Sequence, residues 1–249
     1  MSAIRLCCGM ALFLLITTGE GAFAQNAGDK SDTFSINRSS FILPQPLPKG
    51  KYTHSIGIFY VIVPKDWSLD NIQAPMFNYT GKYTLPKGFN VQGSISTLIV
   101  SNRFTLGPWW NYSFNNNFHV GVGYQIAFNA GVLKEFGFNT VLTGWETQPS
   151  VMVGYSFPKS ALTVRGDLYY MEAFYLQSGG NVVPFTDRTF NGYSITTTLE
   201  QRLWRNRLMS FGVKLNVVRY HILAWPAFPV NRYRYLVPEF QYALKLGKK

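Results

Sequence analysis

The chain has no cysteine after its eighth residue. Its two cysteines, Cys7 and Cys8, precede most of an apolar run from Gly9 to Thr17, whereas a lipoprotein cysteine would have to follow that run. A basic residue before the run and Ala22-Phe23-Ala24 after it are typical of a secretory signal, so we predict a signal peptide over residues 1–24, cleaved near Ala24. The mature chain would then contain no cysteine, which excludes disulfides, thiolate metal sites and a cysteine nucleophile.

Long apolar runs are also missing. No stretch of 18 or more apolar residues occurs, so the sequence excludes membrane-spanning helices. Charged residues make up only 14% of the chain, while aromatic residues reach 16%. Soluble domains typically carry about 25% charged residues, so this composition is closer to that of a membrane protein. Since only helices and closed barrels satisfy every backbone group in lipid, the composition favours a barrel.

The positive evidence for a barrel is a two-residue alternation that recurs from residue 51 to residue 246. In one segment Phe118, Val120 and Val122 share a face, and His119, Gly121 and Gly123 share the other. We predict ten strands, at 51–62, 76–85, 89–100, 104–114, 118–131, 144–157, 161–175, 191–204, 208–220 and 232–246. Tight polar turns alternate with longer connections at 63–75, 132–143, 176–190 and 221–231, the asymmetry of periplasmic turns and external loops.

The sequence therefore predicts an all-β fold, a transmembrane antiparallel up-and-down β-barrel of about ten strands over residues 51–249. If the protein is a membrane barrel, eight or twelve strands are the alternative strand counts. The alternative to a membrane barrel is a soluble periplasmic all-β protein. Aromatic residues near both ends of the strands support the membrane, because they would form two girdles at the lipid–water boundaries. They are Phe89, Tyr112, Phe114, Phe118, Tyr155, Phe157 and Tyr242 on the turn side, and Phe77, Phe128, Trp145, Phe174 and Tyr193 on the loop side.

Over residues 51–246 this pattern resembles small single-chain bacterial outer-membrane β-barrel proteins of the porin-like and adhesion-type classes. The resemblance rests on pattern and not on a motif. It implies a location in the outer membrane of a Gram-negative bacterium, with the barrel-insertion machinery as a partner. Such barrels often end on an aromatic residue, whereas this chain ends Leu246-Gly247-Lys248-Lys249.

Residues 25–50 form a polar N-terminal segment that contains several prolines, including Pro44, Pro46 and Pro48. Two interpretations stay open, a disordered periplasmic tail and a segment tucked into the mouth of the barrel. We favour the disordered tail.

The predicted lumen face carries both signs of charge, interspersed with amides. Its charged members are Lys82, Glu146, Arg165, Asp167, Glu200, Arg202, Lys214, Glu239 and Lys245. In a barrel of this size the interior is barely wider than its side chains, so opposite charges would pair across it. Two hypotheses follow: a salt-bridged plug in a structural barrel, and a narrow porin-like path whose charges select small ions or solutes.

The remaining basic residues lie mostly at predicted turns and at the predicted outer rim. The rim residues are Arg103, Arg188, Arg219, Arg232 and Arg234. Rim arginines suit the phosphates of lipopolysaccharide, because guanidinium binds phosphate bidentately. The net charge of +11 thus predicts anionic lipid as partner and gives no support to nucleic acid.

Two other functions are weighed against the porin-like one. A surface-binding or adhesion barrel would act through external loops, where Trp67 and Trp225 are the candidate contacts. A rim-active lipid A hydrolase would centre on His221, with Asp70, Asp187 or Ser178 as partners, although no family signature surrounds them. We expect no catalytic residue, no metal site and no cofactor, since ligand spacings and phosphate-binding motifs are absent.

Overall fold

The computed structural model describes residues 36–68, 72–134, 139–178, 181–185, 188–203, 207–224 and 233–246. The predicted signal peptide and Trp225 lie outside these ranges. In the described residues, helix is limited to two single turns, α1 (Ile36–Ser39) and α2 (Lys65–Ser68), and a 3-10 turn over Pro86–Gly88. No helix in the described part of the chain is long and apolar enough to cross a membrane.

Eleven strands account for most of the described residues. They are β1 (Tyr52–Ile62), β2 (Gln73–Thr84), β3 (Phe89–Thr97), β4 (Ser101–Ser113), β5 (Phe118–Leu133), β6 (Thr140–Ser156), β7 (Ser160–Ser178), β8 (Asn181–Phe185), β9 (Thr189–Arg202), β10 (Leu208–Val218) and β11 (Tyr235–Leu246). Ten of them match the predicted strands to within a few residues at each end. The additional strand, β8, lies within the predicted loop 176–190.

The sheet closes into a ring of ten antiparallel strands. Each of β1 to β7 pairs with the next, β7 pairs with β9, and β9, β10 and β11 follow in order. The ring closes where β1 pairs with β11, with Gly57 opposite Ala243. Strand β8 pairs with the last five residues of β7 and forms a hairpin beside the ring. The predicted fold class, an antiparallel up-and-down barrel of ten strands, is confirmed.

The two faces of the wall differ in polarity as the alternation predicts. Along β5 the side chains of Val122, Tyr124 and Ile126 are exposed on the outside, whereas His119 and Gln125 are buried inside. Large apolar side chains on every strand of the ring share the outer face. Since an apolar surface of this extent is unstable in water, the outer face is suited to lipid.

One bulge changes the face on which a predicted girdle residue lies. The register between β6 and β7 shifts at Trp145/Glu146, so that Glu146 pairs with Met171 and Trp145 with Ala173. Beyond this extra residue the alternation of β7 is inverted. Phe174, predicted to face lipid, is instead 3% exposed and packs inside with Leu142.

Apolar side chains fill the loop end of the barrel. One cluster joins inward residues of β1 and β2 to α2 and to the segment after β10; its members include Val61, Met76, Trp67, Leu223 and Val237. Trp67 was predicted to lie exposed on an external loop. That prediction is wrong, because its indole is buried in this cluster, edge-on to the Tyr235 ring at 5.4 Å between centroids.

Candidate functional site

The lumen contains a cavity of ≈ 200 Å³ roughly midway along the barrel. Hydroxyl and amide side chains of β1 to β5 form one wall; they include Ser55, Asn78, Thr80, Gln92, Ser94, Thr105 and Gln125. The opposite wall carries charge, on Arg165, Asp167, Lys214 and Glu239, with Arg103 beside it. Phe41 and Ile42 line the cavity toward the turns, while Leu223 lines it toward the loops.

Arg165 and Asp167 form the central ion pair of the charged wall. Both lie on the inner face of β7, two residues apart, and the Arg165 Nε donates to the Asp167 carboxylate at 2.6 Å. Ser150 donates to the same oxygen at 2.6 Å, and Arg165 also donates to the Gln125 amide oxygen at 2.9 Å. The guanidinium lies 4.8 Å from the centre of the Trp109 ring, a cation–π distance. Four strands, β4 to β7, therefore fix the position of this arginine.

Tyr169 connects the remaining charges. Its ring lies between Arg103, 5.8 Å away, and Lys214, 5.6 Å away, and its hydroxyl is 2.7 Å from that of Ser194. The Arg103 guanidinium donates to Glu146 at 3.1 Å, and Lys214 pairs in register with Glu239 on β11. Tyr169 was not among the predicted site residues, although its place one alternation beyond Asp167 puts it on the lumen face.

The charges that line this part of the lumen balance. Three cations, Arg103, Arg165 and Lys214, face three acids, Glu146, Asp167 and Glu239. The acids are the more deeply buried members, since the side chains of Glu146 and Asp167 are 2% and 1% exposed against 20% and 21% for their arginine partners. The cationic groups are therefore the more accessible ones to a solute in the cavity.

A second polar centre lies toward the turn end, at Glu200 on β9. Its carboxylate is fully buried and accepts hydrogen bonds from the backbone N–H groups of Phe41 at 2.9 Å, Ile42 at 3.2 Å and Leu43 at 3.0 Å. The Ser40 hydroxyl donates to the same carboxylate. This single side chain thus satisfies the backbone donors of three consecutive residues of the N-terminal segment.

Residues 40–47, which we call the inner segment, lie inside the barrel wall. Ser40, Leu43, Gln45 and Leu47 are buried, and the Asn111 side chain on β4 donates to the Gln45 carbonyl at 3.3 Å. Just before the inner segment, the Lys245 ammonium donates to the Ser39 carbonyl at 2.6 Å. The favoured interpretation of this region as a disordered tail is wrong for residues 40–47, because the wall supplies the hydrogen bonds that their backbone lacks.

Two glycines make room for the inner segment. A Cβ atom at Gly154 would lie 2.5 Å from Leu43 Cδ1 and 2.9 Å from Pro44 Cδ, and one at Gly121 would lie 2.9 Å from Pro44 Cβ. Both glycines face the lumen on neighbouring strands. The lumen is thus shaped around the inner segment at this height.

The predicted lumen residues fall into two groups. Glu146, Arg165, Asp167, Lys214 and Glu239 meet around the cavity, whereas Lys82, Glu200, Arg202 and Lys245 lie toward the turn end. Close to that end, just before β1, burial lowers the pKa of Lys51. The role of these residues in passage of a solute stays a prediction.

Arg103 was predicted to lie at the outer rim, and that prediction is wrong. Strand β4 begins at Ser101, three residues before the predicted start, so Arg103 is an inward position of the strand. There it donates to Glu146 and, at 3.2 Å, to Gln148. Had the strand been predicted to start at residue 101, its alternation would have placed Arg103 on the lumen face.

His221 faces the lumen. Its Nε2 lies 3.8 Å from the Glu239 carboxylate, and its Nδ1 accepts the Ala224 backbone N–H at 3.2 Å. The partners considered for a hydrolase, Asp70, Asp187 and the Ser178 side chain, lie outside the described residues. In the described part of the chain no group of three or more His, Cys, Asp or Glu residues could hold a metal ion.

A closed antiparallel barrel with an apolar outer face and a polar, charged interior defines the class of the protein. It has the fold of a small membrane-spanning β-barrel, the fold of proteins of the outer membrane of Gram-negative bacteria.

No family model matches the chain, and no curated protein matches it. Among solved structures it is similar to the KdgM porin, at 9% identity and a TM-score of 0.42 over 78% of this chain and 99% of that one. It is also similar to the translocator domain of the autotransporter NalP from Neisseria meningitidis, at 8% identity and a TM-score of 0.43 over 81% and 89%. A third is the COG4313 outer membrane channel from Pseudomonas putida F1, at 10% identity and a TM-score of 0.37 over 88% and 100%. Likenesses this distant transfer neither a substrate nor a mechanism to the chain.

Proposed function

We propose that the protein is a non-enzymatic, porin-like barrel that passes small ions or small polar solutes through its lumen. The observation that carries this proposal is the lumen cavity, whose walls are built from hydroxyl, amide and charged side chains. A barrel serving only as a membrane anchor has no need of such a cavity and would be more stable with a close-packed interior.

The balanced charges support passage of a polar solute. In a narrow lumen an unpaired charge binds a counter-ion strongly and slows its release, whereas paired charges offer weak, successive contacts. Arg165 lies beside Asp167 on its own strand, and Lys214 lies beside Glu239 on the neighbouring strand. Each cation can therefore donate one hydrogen bond to a passing solute while its acid still balances its charge.

The test is single-channel conductance of the refolded mature protein in a planar bilayer under a salt gradient. We expect discrete steps, and a reversal potential that moves toward cation selectivity when Arg165, Arg202 and Lys214 are replaced together by Gln. The sign follows because the four acids Glu146, Asp167, Glu200 and Glu239 stay in place while three cations are lost.

The matched control is Lys159→Gln, which removes a positive charge from the exposed turn between β6 and β7. It should leave the reversal potential unchanged. A bilayer-inserted, heat-modifiable protein that never conducts would contradict the proposal. So would a triple variant with the reversal potential of the unchanged protein.

Lipopolysaccharide is proposed as the lipid partner, through arginines near the loop end of the barrel. Arg188 lies 4.7 Å from the centre of the Tyr170 ring and Arg234 lies 4.8 Å from that of Phe190, and these two rings are adjacent, with centroids 5.2 Å apart. Aromatic rings topped by guanidinium groups suit a boundary where acyl chains meet phosphates.

A further inference from the structure

We propose that the inner segment, residues 40–47, is a movable plug that closes the turn end of the lumen, and that Glu200 is the latch that holds it. This regulation rests on the proposed function, since a plug matters only if the lumen conducts. Phe41 and Ile42 line the cavity on its turn side, so withdrawal of the inner segment would open the cavity toward the turns.

The plug is not part of the wall. The ring of ten strands closes on itself through the β1–β11 pairing, so withdrawal of the inner segment breaks no hydrogen bond of the ladder. Its polar attachment in the described residues consists of the four donors that meet Glu200, the Asn111 contact and the Lys245 contact just before it. Phe41 and Leu43 also pack in an apolar cluster with Ala161, Leu208 and Ala243 of the wall. Most of the polar attachment therefore depends on one carboxylate.

A hinge separates the plug from β1. The Gly50 N–H donates to the Thr84 carbonyl at 2.9 Å, and the Thr84 N–H donates to the Lys51 carbonyl at 3.0 Å, which fixes the chain at the start of the barrel. Gly50 has φ +79°, a left-handed conformation that glycine adopts without strain. Pro44, Pro46 and Pro48 stiffen the stretch in between. Rotation at residues 49–50 would break the hydrogen bond from the Lys51 N–H to the Pro48 carbonyl, 3.3 Å long, and would leave the β1–β2 ladder, which starts at Tyr52, intact.

The latch can be released by a change of charge. The ammonium groups of Lys82 and Lys245 and that of Lys51 lie near enough to interact electrostatically with Glu200 or with one another. Loss of the Glu200 charge in Glu200→Gln would leave one weaker acceptor oxygen, turn an NH2 donor toward the backbone N–H groups, and leave these cations to repel one another. We therefore expect Glu200→Gln to shift the plug toward its withdrawn position.

The experiment measures access to the cavity separately from conduction. Ser94 lines the cavity, and Ser94→Cys supplies one thiol in a mature protein that starts at Gln25 and so lacks Cys7 and Cys8. The rate at which a small, charged methanethiosulfonate reagent modifies this thiol is compared with and without Glu200→Gln. The hydrogen bonds to Glu200 exist only while the inner segment occupies the lumen, so the substitution destabilises the closed state and not the open one. We therefore expect Glu200→Gln to accelerate modification by roughly tenfold or more.

Glu172→Gln is the matched control. It neutralises an acid of β7 that pairs with Arg188 at 3.2 Å and is not among the residues that line the cavity. It should leave the rate of modification within about twofold of that of the parent, because the latch is intact. An equal rate in the Glu200→Gln protein and its parent would overturn the latch.

A second arm keeps the test valid if Glu200→Gln fails to fold. Pro44→Cys with Gly121→Cys places two thiols on facing stretches of backbone; the Pro44 Cβ lies 2.9 Å from a Cβ built at Gly121, so the inner segment must shift outward by roughly 1 Å to reach the usual Cβ separation of a disulfide. With the crosslink verified by mass, the oxidised protein should show no conductance and the reduced protein should recover it. Each single cysteine variant should behave alike in both conditions.

The outcomes separate the two proposals. Fast thiol modification in Glu200→Gln without conductance in any variant would support the plug and contradict the porin-like function. Conductance that persists in the crosslinked protein would support the porin-like function and overturn the plug.

Discussion

The Leu43 backbone N–H donates to the Glu200 carboxylate at 3.0 Å, although the two residues are 157 positions apart in the chain. The contact joins the N-terminal segment to the inner face of β9 and is fully buried on both sides. A buried carboxylate without donors would be strongly destabilising, and so would three buried N–H groups without acceptors. Each partner therefore stabilises the other in the interior of the barrel.

The first prediction concerns the space that the wall leaves for the inner segment. Gly154→Val would bring side-chain atoms into Leu43 and Pro44, since its Cβ alone would lie 2.5 Å from Leu43 Cδ1. We expect the inner segment to be expelled while the barrel still closes. Chymotrypsin cleavage after Phe41, which is buried in the unchanged protein, reports the expulsion.

Gly166→Val is the control for that experiment. It also adds a branched side chain to a strand glycine, but the nearest atom to its Cβ is Val151 Cγ2, at 3.6 Å. This variant should stay resistant to cleavage at Phe41. Resistance of the Gly154→Val protein as well would show that the inner segment does not occupy this part of the lumen.

The second prediction concerns Trp67. Because its side chain packs in the apolar cluster at the loop end, Trp67→Ala should lower the free energy of unfolding by about 3–5 kcal/mol. Urea unfolding of the refolded protein in micelles measures the loss. Ile99→Ala, at a position that is 86% exposed between β3 and β4, should change the stability by less than about 0.5 kcal/mol. If both substitutions changed the free energy of unfolding by the same small amount, Trp67 would not be buried in this cluster.

The third prediction is a double-mutant cycle on Arg103 and Glu146, which form a salt bridge of 3.1 Å inside the lumen. Glu146→Gln leaves Arg103 without its counter-charge, and Arg103→Gln leaves a buried carboxylate, so each alone should cost about 3 kcal/mol. The double variant retains an amide pair and should recover at least about 1 kcal/mol relative to the sum of the single effects. The free energy of unfolding of all four proteins gives the coupling, and strict additivity would contradict the ion pair.

Much of the wall could be predicted because the two-residue period records on each strand which side chains face lipid. The positions of Phe118, Val120 and Val122 fix the faces of β5 without knowledge of any other strand. Phe174 could not be placed in this way. Its face depends on a bulge that inverts the alternation, and a single extra residue leaves no signal in the hydrophobic pattern.

The inner segment was mispredicted for a different reason. Most of its backbone hydrogen bonds go to the side chains of Glu200 and Asn111 and none of those described goes to a strand ladder, so it has no periodicity to detect. Proline and serine in such a segment are equally typical of disorder. The buried acid on β9 was visible in the sequence, but its partner lies too far along the chain for spacing to reveal it.

The last prediction concerns lipid at the loop end of the barrel. Arg188 and Arg234 flank the Tyr170–Phe190 ring pair, and Arg188 is also bound to Glu172 at 3.2 Å, so Arg234 should make the stronger phosphate contact. Replacing both arginines by Gln should reduce the lipopolysaccharide retained by the purified protein by about threefold, since exposed contacts are worth up to about 1 kcal/mol each. Arg234→Gln alone should account for most of the loss, and the reduction should disappear at high salt.

Lys159→Gln, on the opposite end of the barrel, tests whether net charge alone decides retention. A loss as large in that variant would mean that lipopolysaccharide binds without a site at the loop end.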